Sequence, residues 1–273
     1  MVKFDKFNTP WRLMSTAIYS APKDSKVYGT LEVDVTKAEK YIKDQRQSGN
    51  KITMTHLVTA ALARSLAFNA PEVNCYVRRG KIIPRDYFDI AVSVNIRSGR
   101  EMSAVIVKNA HLLTVSQIAE EIRFKAATTR SGKETKSMKN KYLLSKIPWP
   151  IRNWIYNLVR WIVNDVGINL KFIGLSTDAF GSIMLSNIGT HGLSTGMPAL
   201  FPAGKLPAVI VMGKTEIKPT VIDEKIVARS ILPLTGTFDH RIMDGGQIGK
   251  LARGVARRLA KPEELDSIEK APE

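Results

Sequence analysis

Leu-Thr-Gly-Thr-Phe-Asp-His-Arg-Ile-Met-Asp-Gly-Gly, residues 234 to 246, is the stretch around which the chain is organised. Lys225 to Thr237 alternates and reads as a strand whose tip carries His240. Behind Asp244, residues Ile248, Leu251, Ala252, Val255 and Leu259 recur on one helical face. Asp244 therefore falls at a helix N-cap, and Gly245-Gly246 allow the tight turn into that helix. Imidazole titrates near neutrality, so a histidine on a rigid strand end beside a buried carboxylate can act as a general base. The expectation is that Asp244 supplies that carboxylate. His-x3-Asp spacing alone is weak, because a lone turn histidine is more often structural.

At 273 residues the chain can bury a large core, as one domain or two small ones. Its 44% hydrophobic and 24% charged residues are ordinary for a globular protein. A single cysteine, Cys75, excludes an intrachain disulfide framework and a cysteine-rich zinc site. No metal-ligand cluster is visible, so no metal is expected. Met1 to Asp5 lack an apolar signal core, and no apolar run reaches the roughly 18 residues of a spanning helix, so a cytoplasmic protein is expected. The net charge of +16 would favour polyanions: nucleic acid, anionic lipid or a phosphorylated cofactor. Aromatics do not interleave with Lys/Arg on any strand pattern, so no specific nucleic-acid partner is expected. The plainer reading of the charge is a solvated basic surface.

Outward from the motif, Val27 to Val35 reads as a strand, Thr36 to Gln47 as a polar-faced helix and Met54 to Phe68 as a buried helix. His56 at that helix start suits capping or the surface. Asn74 to Ile83 reads as a hairpin turning at Arg79-Gly80, and Asp89 to Ile96 and Ser103 to Val107 as strands around the turn Arg97 to Arg100. Thr114 to Gln117 forms a capping box for a helix with Val115, Ile118, Ala119, Ile122 and Ala126 on its apolar face, and His111 before it reads as exposed. Residues 130 to 146 are a basic link. Ile151 to Val163 then reads as an amphipathic helix striped by Ile151, Trp154, Ile155, Leu158 and Ile162. Its apolar face is expected to pack on the core or on a neighbouring subunit. The competing destination is a lipid interface. Gly181 to Gly189 and Pro207 to Gly213 read as strands, and a hairpin around Asp223-Glu224 leads into the motif. Glu263 to Glu273 lacks apolar period and is expected to be a disordered tail.

Phe238 to Gly245, FDHRIMDG, resembles the DHRxxDG signature of the 2-oxoacid dehydrogenase acyltransferase (E2) catalytic domains and the HHxxxDG signature of chloramphenicol acetyltransferases. Further segments are similar to the same family: KITMTHLVTAALA to its first core helix, PEVNCYVRRGKII to a hairpin, DIAVSVNIRSG to a strand, and Ser186-Asn187-Ile188-Gly189 to its SNIG turn. The resemblance implies an α+β fold, a two-layer α/β sandwich with a mixed sheet flanked by helices. It implies one acyltransferase domain over 1–262, with an inserted segment at about 133–180. It also implies coenzyme A as acyl carrier, His240 as general base, Ser186 as oxyanion donor, and Asp244 holding the loop with Arg12 as its partner. Asp239, Arg241, Gly245 and Asn187 complete the matching motifs. A homotrimer, or a multiple of trimers, is implied, with His240 of one subunit facing Ser186 of the next.

Four departures bear on the acceptor. No lipoyl or subunit-binding domain is seen before the catalytic region, so a free-standing enzyme is expected. Residues 133–180 replace a short connection, SGREMSAVIV stands where the family has RGLVVPVI, and Gly236 takes a position usually filled by a larger apolar residue. The acceptor could be a dihydrolipoyl group on another, lipoylated chain, or a small thiol, alcohol or amine. Two other classes stay open: a non-catalytic trimeric assembly protein of the same fold, and a basic protein associated with an anionic membrane surface.

Overall fold

The computed structural model describes residues 25–96, 101–130, 148, 150–170, 177–200 and 204–268. Its centre is a seven-stranded mixed sheet. The chain enters through β1 (Lys26–Asp34), makes α1 (Thr36–Gln47) and α2 (Met54–Phe68), and then a separate hairpin, β2 (Cys75–Arg78) and β3 (Lys81–Pro84). β4 (Ile90–Ile96), β5 (Glu101–Val107) and α3 (Val115–Arg130) follow, then α4 (Ile151–Arg160), which runs on into a π-helical turn, Trp161–Val166. β6 (Ile183–Asn187), β7 (Ala208–Met212), β8 (Glu216–Ile222), β9 (Lys225–Asp239) and α5 (Gly245–Ala260) complete the described elements. In the sheet the order is β1-β9-β7-β6-β4-β5, and β8 pairs outside this path with β9. β6 lies parallel to both β4 and β7, while the other pairs are antiparallel.

Strand alternation sends one set of side chains toward the helices. Val33, Leu234, Ile210, Leu185 and Val92 from five strands join Leu57, Leu62, Ile118, Leu251 and Leu259 in one core. α2 is buried along most of its length, which explains its nearly all-apolar sequence. The opposite set includes Ser186, Val211 and Thr235, which sit side by side across β6, β7 and β9. This is the two-layer arrangement expected for the fold class.

β9 is long because its two halves do different work. Lys225–Ile231 pairs with β8, and Ile231–Asp239 is held between β1 and β7, where it is buried. Gly236 faces Gly29 across the β1–β9 pair. A Cβ on Gly236 would stand 2.6 Å from the ring of Phe238, and one on Gly29 would meet that ring at 3.2 Å. Phe238 thus fills the volume that a larger residue at position 236 would occupy.

Three sequence expectations are corrected. His111 is not exposed: its ring is half-buried, 4.7 Å from that of Phe88 and 6.3 Å from that of Phe68. Burial and the charge of Arg64 hold its pKa below the ordinary value, partly countered by Asp89. The tail is ordered as far as it is described, because Pro262–Asp266 forms a 3-10 turn with Leu265 fully buried. The buried Arg64 guanidinium donates to the carbonyls of Glu264 at 3.0 Å and Leu265 at 2.9 Å, a tertiary anchor that periodicity cannot display. The third is α4, expected to pack on the core or on a neighbouring subunit: within its own chain Trp154 and Trp161 face solvent, so packing on the core is set aside and the neighbouring-subunit alternative is untouched. The turn at 97–100, most of the basic link, and residues 269–273 lie outside the described residues, as does Arg12.

Candidate active site

The site loop is fixed first by its backbone. The Asp239 N–H donates to the Pro207 carbonyl at 2.8 Å, and the His240 N–H to the Ser25 carbonyl at 2.8 Å. Ile242 and Met243 then both donate to the Asp239 carbonyl at 3.0 Å, curling the chain back over the strand end. That curl brings the Met243 carbonyl within 3.1 Å of His240 Nδ1. Asp244 Oδ1 is also 3.1 Å from Nδ1. Both neighbours are acceptors, so Nδ1 must carry the hydrogen. In the neutral ring Nε2 therefore keeps its lone pair, which is the form a general base needs.

Asp244 caps α5, with extended backbone and its N–H donating to Gln247 Oε1 at 3.0 Å. The expected helix start is found, but the expected buried carboxylate is not Asp244, whose side chain is largely exposed in the chain. A residue at an N-cap on the rim of a sheet has water on one side. The buried carboxylate is Asp239. Arg241 Nε reaches its two oxygens at 2.9 and 3.1 Å, and the Arg241 backbone N–H bonds Oδ1 at 3.0 Å. Burial pushes the Asp239 carboxyl up, but these bonds, the Arg241 charge and the more distant Ser25 hydroxyl hold it below the usual carboxylate range. Asp239 and Arg241 thus brace the loop, and Gly245 opens α5.

Ser186 lies near the end of β6, half-buried on the sheet face turned away from the helices. Asn187 is tied down by its Nδ2, which donates to Thr55 Oγ1 at 3.0 Å. A Cβ on Gly189 would come within 2.5 Å of the Gly213 carbonyl oxygen, so the turn after Ser186 requires glycine there.

Within one chain Ser186 and His240 are far apart. Ser186 is level with Val211 and, through it, with Thr235, five residues before His240. Five strand rises of about 3.4 Å and two strand spacings of about 4.8 Å put them about 20 Å apart. Each residue lies on the element that its sequence predicts, and the register sets the two at opposite ends of the sheet.

The segment between α3 and β6 adds a feature that the sequence did not suggest. A cavity of about 330 Å³ lies beside the loop, and its charged lining is Lys26, Arg160, Lys205 and Arg241 against Asp165 and Asp239. Arg79 fixes the π-helical turn by donating to the Asp165 carbonyl at 2.9 Å and the Val166 carbonyl at 3.1 Å. Lys205 Nζ bonds the Asn164 carbonyl. Buried Arg85 grips Asp178 with Nε at 2.8 Å and Nη2 at 3.0 Å, and the Tyr87 hydroxyl joins the same carboxylate. Burial and Asp178 push the Tyr87 hydroxyl pKa up, against a smaller opposite effect of Arg85. Among the described residues there is no cluster of three His, Cys, Asp or Glu side chains suited to a metal.

A family model described as 2-oxoacid dehydrogenases acyltransferase (catalytic domain) matches residues 11–141 and 177–266. A dihydrolipoyllysine-residue acetyltransferase component of the acetoin cleaving system of Bacillus subtilis (strain 168) is 22% identical over 242 residues, covering 86% of this chain and 50% of that protein. Among solved structures, a probable dihydrolipoamide acetyltransferase from Listeria monocytogenes 4b F2365 matches with a TM-score of 0.65 at 19% identity, covering 96% of this chain and 95% of that one. A chloramphenicol acetyltransferase matches with a TM-score of 0.53 at 13% identity, covering 87% and 89% respectively. These two likenesses establish the fold. The chain spans half or less of the length of the curated relatives it matches.

Proposed function

The chain belongs to the 2-oxoacid dehydrogenase acyltransferase (catalytic domain) family, and from that premise we propose that it is a coenzyme-A-dependent acyltransferase. The observation that carries the reading is the His240 imidazole at the end of a rigid strand, with Nδ1 within 3.1 Å of the Met243 carbonyl and of Asp244 Oδ1.

The acceptor is a thiol of the dihydrolipoyl type. As its sulfur attacks the thioester carbonyl of acyl-coenzyme A, Nε2 takes the thiol proton. The tetrahedral intermediate carries an oxyanion, to which the Ser186 hydroxyl donates a hydrogen bond. Collapse breaks the bond to the coenzyme A sulfur, and the imidazolium returns its proton to that thiolate. Asp244, beside Nδ1, helps hold the ring in its orientation. The cationic balance of the cavity beside the loop suits a polyanionic substrate such as coenzyme A.

A separation of about 20 Å within the chain is too long for Ser186 and His240 to serve one reacting carbonyl. The site is therefore composed by two copies, Ser186 from one and His240 from the other, in a closed oligomer that the family resemblance makes a trimer. A lipoylated protein is the partner that would bring the acceptor.

The reading is tested by a panel of acyl-coenzyme A thioesters with free-thiol detection, with and without dihydrolipoamide. Acceptor-dependent thiol release is expected. A folded, assembled protein that releases no thiol above background with any pairing would refute transfer and leave the assembly-protein reading in its place.

A further inference from the structure

The inserted helix carries a surface that acyl transfer does not use. Ile151, Trp154, Leu158 and Trp161 recur at helical spacing and form one stripe. They are 54%, 68%, 40% and 55% exposed. The helix is secured from its other end. Val163 and Asn164 in the π-helical turn are buried, and Arg79 holds the turn's carbonyls. The stripe is thus presented to solvent by an anchored element. A contiguous apolar surface of this kind marks a contact site.

Composition identifies the occupant. Three of the chain's four tryptophans fall at 149, 154 and 161. Basic residues outnumber acidic ones by seven across 130–171, a large share of the chain's net +16. Tryptophan favours the headgroup region of a bilayer, where its ring is apolar and its N–H can meet water. A positive balance in the sequence flanking such a helix adds attraction to anionic headgroups.

We propose that α4 docks on the surface of an anionic bilayer, with the Ile151-Trp154-Leu158-Trp161 stripe at the boundary of headgroups and acyl chains. It lies in the plane of the interface. Its ten residues span about 15 Å, roughly half the hydrocarbon thickness. Among the described residues no helix is long and apolar enough to cross a membrane. Since Arg160, Asn164 and Asp165 line the cavity beside the His240 loop, docking holds that end of the chain against the lipid surface.

The test is flotation of the whole protein with phosphatidylglycerol-containing vesicles and with pure phosphatidylcholine vesicles, at low and high salt. Binding is expected to the anionic vesicles only, and to weaken with salt. Trp154→Ser/Trp161→Ser should lower binding about tenfold or more. Because both side chains face solvent, its unfolding midpoint and oligomeric mass should match the parent. No flotation of the parent with anionic vesicles at low salt would overturn the proposal, and so would equal flotation of the double variant. A fall in oligomeric mass of the double variant would overturn it too, showing the stripe buried between copies.

Discussion

The end of β9 and the inserted helix α4 both border the cavity beside the loop, yet they are held by contrasting means. Leu232 to Asp239 are buried without interruption in the sheet, and the loop beyond is tied to the Pro207 and Ser25 carbonyls and then curls back through bonds among residues 239 to 247. α4 stands with its apolar stripe in solvent, and the π-helical turn that continues it is held by Arg79, 86 residues from Asp165. The first region is buried in the sheet and held on both sides. The second is positioned by the rest of the fold and turned outward, as an element added to a finished core would be.

That contrast predicts which substitutions act on rate and which on stability. The largest effect belongs to the loop. His240→Ala should lower turnover about 10²–10⁴-fold, the range for a positioned acid-base group, without lowering the unfolding midpoint, since the side chain is half exposed. Steady-state kinetics beside thermal melts will show it. A variant that keeps more than half the parental rate would make His240 structural and remove the distinction between the two regions.

The anchors of the insertion should act on stability. Asp178→Ala leaves the buried Arg85 guanidinium without its carboxylate, and breaking such a pair costs about 3 kcal/mol. Urea titration measures the loss. A change below about 0.5 kcal/mol would place the pair in the range of exposed salt bridges and mean that the insertion is loosely held.

A smaller, pH-dependent effect is expected in the core that both regions share. His56 is buried at the start of α2, where the Thr53 N–H donates to its Nδ1 at 3.2 Å, so it caps the helix as a neutral ring. Desolvation, and then the charges of Arg123 and Arg46, push its pKa down to about 4. A folded-state pKa below the unfolded value means that stability is intact above about pH 6.5 and falls as pH drops, by roughly 2 kcal/mol at pH 5 and roughly 3 kcal/mol at pH 4. His56→Gln keeps a capping partner and removes the titration. Its stability should therefore be flatter over this window, and an unchanged slope would assign the acid sensitivity to other groups.

Much of the fold was legible because its signals are local. Alternation gave the strands, and the helical stripe Ile248, Leu251, Ala252, Val255 and Leu259 gave α5. Ser186, Asn187, His240 and Asp244 were each found on the expected element. Burial was less legible, because it depends on what lies across from a residue. The sequence favours Asp244 as the buried carboxylate, but Asp239 holds that place, since only the turn back over β9 decides which acid faces inward. The use of Gly236 needed the register that sets it opposite Gly29 beneath Phe238. The tail needed Arg64, some 200 residues before Glu264. For α4 the stripe was plain in the sequence, and its exposure was not.

The separation of Ser186 and His240 along the sheet makes the shared site the central claim. Inactive His240→Ala and inactive Ser186→Ala chains would be unfolded together, reassembled and assayed once mass spectrometry confirms mixed oligomers. Activity well above either parent is predicted, because some interfaces then join the intact His240 of one chain to the intact Ser186 of another. Confirmed mixed oligomers no more active than either parent would contradict a site built between copies.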